Sequence, residues 1–245
     1  MKTQLIGQHL IRLEVVESTN NYAAKLAELP NWENGTVIVA DQQTDGKGQR
    51  GNKWIGEQGN LFFSMLVDLT FLKPDQSWRW SQAVAIALHE TMSTFTQDQL
   101  WIKWPNDIVS SKGKLGGILI ENSVSSRGVE HSIVGIGVNT QNAPEGLSAA
   151  RLELKDQSNE VFLNKLCESL EKWYFLLKAG GQTVNMNFNS ALWKYGEACT
   201  IISKNRESKE VLFKGTNPSG QAEFLSEEGI LQFGIKEFEW GTLPY

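Results

Sequence analysis

The chain has 245 residues, 40% of them hydrophobic, and a formal net charge of −5. That is enough apolar material for one sizeable core and a small second domain, and the acidic balance argues against a surface built to neutralise a run of nucleic-acid phosphates. Cys167 and Cys199 are too few for a disulfide framework and are not spaced as a zinc site, and no apolar run is long enough to span a bilayer.

Met1 to Leu13 interrupts its apolar residues with Gln4, Gln8, His9 and Arg12, so it does not read as a targeting segment, and a reducing, cytoplasmic location is expected. Ser18 or Thr19 can cap a helix whose apolar residues Tyr22, Ala23, Leu26 and Leu29 recur at three- and four-residue spacing, up to Pro30. Residues 36–40 predict a β-branched strand that enters a glycine-rich loop, and 61–69 a longer strand that leaves it. A helix is predicted over 77–95, with Trp80, Val84, Ala87, Leu88 and Met92 on one side. Short segments rich in Ile and Val follow at 100–104, 107–110, 115–121 and 129–138 and predict neighbouring strands. Residues 141–159 predict a loop. Helices are predicted at 159–178, stopped by Gly180 and Gly181, and at 184–195. From Gly196 the pattern changes to short alternating segments (199–203, 210–214, 221–225 and 230–235), which predict a small β-barrel of about five strands. The expected division is therefore 1–195 and 196–245.

Four motifs carry chemistry. The loop Gln43-Thr44-Asp45-Gly46-Lys47-Gly48-Gln49-Arg50-Gly51-Asn52-Lys53-Trp54 combines glycines that bare the backbone amides with Lys47, Arg50 and Lys53 as charge-assisted donors, a combination suited to a phosphorylated ligand. Taken alone it is equally a solvated basic hairpin tip. Lys103-Trp104-Pro105-Asn106-Asp107 sets an amide and a carboxylate side by side at a strand end, where they can serve a metal-bound phosphate or an amine; alone it is an ordinary proline turn. In Lys114-Leu115-Gly116-Gly117 a lysine enters a strand beside two small residues and can reach an anion across them, or can simply snorkel at a hairpin end. Gly135-Ile136-Gly137-Val138-Asn139 hollows one face of a strand, for a flat ligand or for close packing against a helix, and no helix with a further glycine follows it to make a dinucleotide fingerprint.

Together with Glu17-Ser18-Thr19-Asn20, these motifs occur in the order and spacing of one family: between residues 17 and 139 the chain resembles bacterial biotin–protein ligases. The tail resembles that family's SH3-like domain more weakly. The resemblance implies an α+β fold, with a mixed or antiparallel sheet flanked by helices in a class II synthetase-like core and a small C-terminal SH3-like barrel. It implies ATP and biotin as substrates with Mg²⁺, formation of biotinyl-5'-AMP, and transfer of biotin to a lysine on the biotin carrier domain of acetyl-CoA carboxylase or a related carboxylase.

On the same grounds Ser18, Thr19, Asn20 and Gln43 meet the biotin ureido ring, and Gly46, Lys47, Gly48 and Gln49 close over biotin and the adenylate. Gly117, Gly135 and Gly137 floor the pocket. Lys114 meets the carboxylate and the α-phosphate, Arg50 grips the adenylate, Trp54 stacks on adenine, Asn139 contacts the nucleotide, and Asn106 and Asp107 lie by the phosphate and the incoming amine. Lys114, Asp107 and Lys47 are the expected catalytic residues; no ligand set for Mg²⁺ is identified. The chain departs from the family's Gly-Arg-Gly-Arg-Arg-Gly-Arg loop at Lys47, Gln49 and Asn52, and lysine cannot form the bidentate phosphate fork. Only 16 residues precede Glu17, too few for a helix-turn-helix, so a monomer or homodimer with no DNA-binding and no membrane role is expected. Two rivals stay open: a lipoate- or octanoyl-transferring relative, disfavoured by the Lys-Trp-Pro-Asn-Asp signature and the basic loop, and a ligand-holding module without catalysis, disfavoured by Lys114, Asp107 and the loop.

Overall fold

The computed structural model describes residues 2–126, 128–145, 147–154 and 157–244, with the Arg50 side chain outside the described residues. Strand β1 (Leu10–Val16) pairs parallel with β2 (Thr36–Gln43), and helix α1 (Thr19–Ala27) makes the crossover between them. Every later pairing in this sheet is antiparallel: β2 with β3 (Leu61–Asp68), β3 with β7 (Gly128–Val138), β7 with β6 (Gly113–Ser125), β6 with β5 (Asp107–Ser110), and β5 with β4 (Trp101–Lys103). The order β1-β2-β3-β7-β6-β5-β4 puts the glycine-rich strands β6 and β7 near the centre. The sequence reading assigned no strand at β1. As an edge strand it is mostly half-exposed or exposed and carries Arg12 and Glu14, so its apolar alternation is weak.

Helices α2 (Ser77–Ser93) and α3 (Asn159–Lys178) pack together against the sheet, with Trp80 edge-on to Tyr174 at 6.0 Å between ring centroids. Ser158 caps α3 by accepting from the Val161 N–H, and Gly180 and Gly181, both at positive φ, end it as predicted. Helix α4 (Val184–Ser190) is shorter than the predicted 184–195. Its continuation is captured by the sheet edge instead: Ile102 N–H donates to Ala191 O at 2.8 Å and Trp193 N–H to Ile102 O at 3.0 Å.

The remaining strands, β8 (Ala198–Ser203), β9 (Ser208–Thr216), β10 (Ala222–Ser226), β11 (Gly229–Phe233) and β12 (Phe238–Trp240), form a second antiparallel sheet in the order β11-β10-β9-β8-β12. The tail is small and β-rich as expected, but among the described residues its strands pair as an open run and not as a closed barrel, because β11 and β12 do not bond to each other. Three-residue β12 was not predicted as a separate strand; it is too short to show alternation. Phe213, Phe224, Phe233, Phe238 and Trp240 interlock on the inner face. The sheet is joined to the first at Trp104, which stacks on Phe238 at 5.5 Å and donates its indole N–H to Gly220 O. Asn189 Oδ1 accepts from the Thr216 N–H nearby. One continuous apolar core therefore runs from Ile6 to Phe238.

Candidate active site

The register of the first sheet explains where its cleft opens. Lys103, Asp107, Gly117, Gly137 and Phe62 lie directly opposite one another across β4, β5, β6, β7 and β3, and Leu119, Gly135 and Ser64 form the next row on the same side. Three glycines in two adjacent rows strip the side chains from the middle of that face and leave a furrow. What fills the furrow is specific: a Cβ on Gly135 would stand 2.2 Å from Asn20 Oδ1, and one on Gly137 would stand 2.3 Å from Trp54 Cε2. A cavity of about 220 Å³ opens above this floor.

One end of the cleft is a buried polar cluster. Ser18 caps α1 by accepting from the Asn21 N–H, which sets Thr19 and Asn20 in the first turn, facing the sheet. Gln43 Oε1 accepts from the Thr19 N–H at 2.7 Å and from its hydroxyl at 3.1 Å. Ser64 Oγ, buried in an otherwise apolar strand, lies 2.7 Å from Thr19 Oγ1 and 2.6 Å from Asn20 Oδ1, and Asn20 Nδ2 donates to Glu121 Oε2 at 2.7 Å. The Ser64 hydroxyl has one proton and the Thr19 hydroxyl another, so the cluster is a connected network in which each hydroxyl both donates and accepts.

The glycine-rich loop joins β2 to β3 and folds back on itself. Gly48 N–H donates to Asn52 O at 2.7 Å, Trp54 N–H to Gly46 O at 2.9 Å, and a single 3-10 turn spans Gln49–Gly51. Gly51, at φ +82°, is a position where glycine is required for conformation and not for space. The fold of this loop lays the Trp54 ring on Gly137 and Gly117, with its indole N–H buried and unpaired. Lys53 pairs with Asp45 at 2.6 Å, which raises its pKa.

At the other end Lys114 Nζ meets Asp107 Oδ1 at 2.7 Å, sits 5.3 Å above the Trp54 ring, and rests on Gly117, whose added Cβ would lie 3.2 Å from it. Lys103 Nζ stands 4.0 Å from the second Asp107 oxygen; burial pushes its pKa down against the pull of Asp107. Asn106, in the turn after the cis Trp104–Pro105 bond, donates Nδ2 to Ile118 O at 2.7 Å and so ties this turn to β6. A smaller cavity of about 150 Å³ adjoins, sharing Gln49, Asn106 and Ile118 with the main cleft and lined otherwise by Ser81 and by apolar groups such as Pro105, Ile120 and Ile235.

Of the residues singled out from sequence, the cleft gathers Ser18, Thr19, Asn20, Gln43, Lys47, Gly48, Gln49, Trp54, Asn106, Asp107, Lys114, Gly117, Gly135 and Gly137. Gly46 is buried beneath the loop and does not line it. Asn139 is also behind the wall: its Nδ2 donates to Lys114 O and Ala150 O, bracing the backbone that carries the lysine. The Arg50 side chain lies outside the described residues. Sequence reasoning missed Ser64 and Lys236. A lone serine in Leu-Phe-Phe-Ser-Met-Leu was a usable signal, since a hydroxyl in a buried strand needs a partner; Lys236 reaches the cleft from the second sheet and has no local signature.

Residues 13–139, which are 127 of 245, match the biotin/lipoate A/B protein ligase family. Over 221 residues the chain is 38% identical to the biotin--[acetyl-CoA-carboxylase] ligase of Paracoccus denitrificans, covering 83% of this chain and 89% of that protein. It is 33% identical over 168 residues to the bifunctional ligase/repressor BirA of Bacillus spizizenii, covering 65% of this chain, and the match spans about half, 50%, of that relative's length. The backbone superposes on the biotin protein ligase of Aquifex aeolicus solved in complex with biotin and ATP with a TM-score of 0.77 at 27% identity, covering 95% of this chain and 98% of that one. The matched motifs, the sheet that carries them and the glycine-floored cleft they build all agree: the chain belongs to the biotin/lipoate A/B protein ligase family.

Proposed function

We propose that the protein is an ATP-dependent biotin–protein ligase, which condenses biotin with ATP to biotinyl-5'-AMP and then transfers the biotinyl group to a lysine of a carboxylase biotin carrier domain. The observation that carries this reading is Lys114 poised 2.7 Å from Asp107 on a glycine floor, in one cleft with the polar groups of Thr19, Asn20 and Gln43, which Ser64 braces from behind. A ureido ring brings two N–H donors and a carbonyl to that polar end of the cleft, whereas the alkyl or dithiolane end of octanoate or lipoate brings no such groups to set against it. This supports biotin over the other family substrates.

In the first step a biotin carboxylate oxygen attacks the α-phosphorus of ATP; the bond from that phosphorus to the bridging oxygen breaks, and pyrophosphate leaves with the electron pair. Two anions must approach, and the Lys114 ammonium offsets their repulsion, moving from Asp107 toward the phosphate. Lys47 and the amides of Gly48 and Gln49 close over the product and keep water from it. We read Trp54, whose ring lies on Gly137 and Gly117, as the stacking partner of the base. In the second step the amine nitrogen of the carrier lysine attacks the acyl carbon and AMP leaves, while Asp107, released by Lys114, accepts the amine's proton. Gly117, Gly135 and Gly137 supply clearance and no chemistry.

Asp107 is the one carboxylate lining the cleft among the described residues, and both its oxygens face lysines; no group of three metal-ligating side chains occurs there. This donor set does not make a cage for Mg²⁺. The change of sheet between β7 and β8 supports 1–195 as the biotin- and ATP-binding domain and 196–245 as an accessory one. The net charge of −5 supports a reading without a DNA-binding role; Cys167 and Cys199 are both free and buried, and we read the protein as cytoplasmic. No helix among the described residues is long and apolar enough to cross a membrane; we read the protein as a monomer or homodimer.

Incubation with ATP, Mg²⁺, biotin and a carboxylase carrier domain tests the proposal. Covalent label on the carrier lysine is expected, and lipoate or octanoate in place of biotin should give little. Label from lipoate and none from biotin would reverse the assignment.

A further inference from the structure

Four lysines line the main cleft, Lys47, Lys53, Lys114 and Lys236, against the single carboxylate of Asp107. Two of them are already neutralised: Lys53 is paired with Asp45 and Lys114 with Asp107. Among the described residues neither Lys47 nor Lys236 has a carboxylate partner. In a chain whose net charge is −5, two uncompensated ammonium groups at one opening are a local reversal of sign.

They come from different sheets. Lys47 belongs to the loop between β2 and β3; Lys236 sits at the tip of the turn from β11 to β12. That turn is pinned, with Gly234 N–H donating to Glu237 Oε2 at 2.7 Å and Glu237 N–H to Gly234 O at 3.1 Å. Lys236 itself holds φ +64°, a region where a residue with a Cβ is strained and glycine is not. The preceding residue, Ile235, lines the adjoining cavity together with Gln49 and Asn106, and these two also line the main cleft. Lys236 thus lines the main cleft beside a neighbour, Ile235, that borders the adjoining cavity.

We infer that Lys236 is a binding residue for the β- and γ-phosphates of ATP, so that the second sheet shares with Lys47 the lining of the nucleotide end of the cleft. The inference rests on the proposed ligase reading. A polyphosphate is the anion of the right charge for two unpaired cations converging on one mouth, and it is present in the first half-reaction only.

The test separates the two half-reactions in the full chain. Lys236→Gly removes the ammonium while suiting the backbone, and Lys236→Arg keeps a cation. Biotin-dependent exchange of labelled pyrophosphate into ATP should show a KM for ATP raised on the order of tenfold in Lys236→Gly, the size of one charge-assisted contact, with the KM for biotin little changed and Lys236→Arg restoring most of the loss. Thermal melts of Lys236→Gly should be equal to or above those of the parent, since strain at φ +64° is relieved. Transfer from preformed biotinyl-5'-AMP, which carries no β- or γ-phosphate, should change far less than exchange. An unchanged KM for ATP in Lys236→Gly overturns the inference. So does a defect confined to the KM for the carrier domain, which would make Lys236 a contact for an acidic protein surface. Absence of biotin-dependent exchange in the parent protein defeats the ligase reading itself, and is distinguished from either of these by being seen before any substitution.

Discussion

The two sheets use their faces in opposite ways. The inner face of the second is filled, with Phe224 in contact with four other aromatic rings at centroid distances from 4.9 to 5.9 Å. The corresponding rows of the first sheet are emptied by Gly117, Gly135 and Gly137, and the space is held by Asn20, Trp54 and Lys114, groups that arrive from a helix, a loop and a strand end. A filled face gains stability from close packing; an emptied one gives it up for clearance and for polar groups within a ligand's reach, among them the unpaired Trp54 indole N–H. Substitutions should therefore register as lost stability in the second sheet and as lost binding or turnover in the first.

The largest effect that can break this contrast is Phe224→Ala. Deleting a fully buried ring at the centre of the aromatic cluster should cost about 3–5 kcal/mol in chemical denaturation; a cost below about 1 kcal/mol would mean that the second sheet is not held by packing. Next comes Lys114→Ala, for which we expect turnover down by a hundredfold or more, about 3 kcal/mol of lost electrostatic stabilisation, in pyrophosphate exchange with the fold unaltered. A variant retaining a tenth of the activity would displace Lys114 from the centre of the mechanism. Gly137→Ala sharpens the comparison, because its Cβ would meet the Trp54 indole at 2.3 Å and the ring can yield into the open cleft. Stability should fall by about 1 kcal/mol or less while biotin affinity measured by calorimetry falls more than tenfold. The reverse order of effects would show the glycine to be structural.

Asp107→Asn keeps shape and removes charge. Transfer to the carrier should slow by roughly tenfold or more while pyrophosphate exchange changes less, as expected of a proton acceptor used in the second step alone; equal loss in both would count against that role. The smallest effect is expected at His89, whose Nε2 lies 3.1 Å from Leu100 O. Burial holds its pKa below the ordinary 6.5, outweighing the hydrogen bond to Leu100. Between the folded value and 6.5 the unfolded chain binds more protons, so stability rises with pH across that window and is lost as acid is added. Melting temperatures should decline from pH 7 to pH 5, and His89→Gln should flatten the decline; an unchanged slope would assign it to other groups.

Much of the scaffold was legible in the sequence because its signals are local. The 3.6-residue spacing of Phe162, Leu166, Leu170, Trp173 and Leu177 placed α3 with both ends correct, and the Ile- and Val-rich runs found β5 and β7 to within one residue. What failed were segments whose structure is imposed by neighbours: edge strand β1, the residues after Ser190 that the β4 edge takes from α4, three-residue β12, and the closure of the tail into a ring. In the site, the residue types at Ser18 to Asn20, Gln43 to Trp54, Asn106, Asp107, Lys114 and the glycines were readable from motif and spacing. Asn139 was readable as a motif residue, yet the structure sets it behind the wall as a brace for Lys114.

The order of amino acids by itself determined which chemistry is available: bare amides, cations, one well-placed carboxylate, and strands thinned by glycine. Only the tertiary structure decided which of these groups meet. Register across β5, β6 and β7 put Asp107, Gly117 and Gly137 in one row, a bulge beside Val109 let Lys114 reach back over that row, and the docking of a separate sheet carried Lys236 to the same opening. Those meetings depend on contacts between residues far apart in the chain, and local propensity carries no information about them.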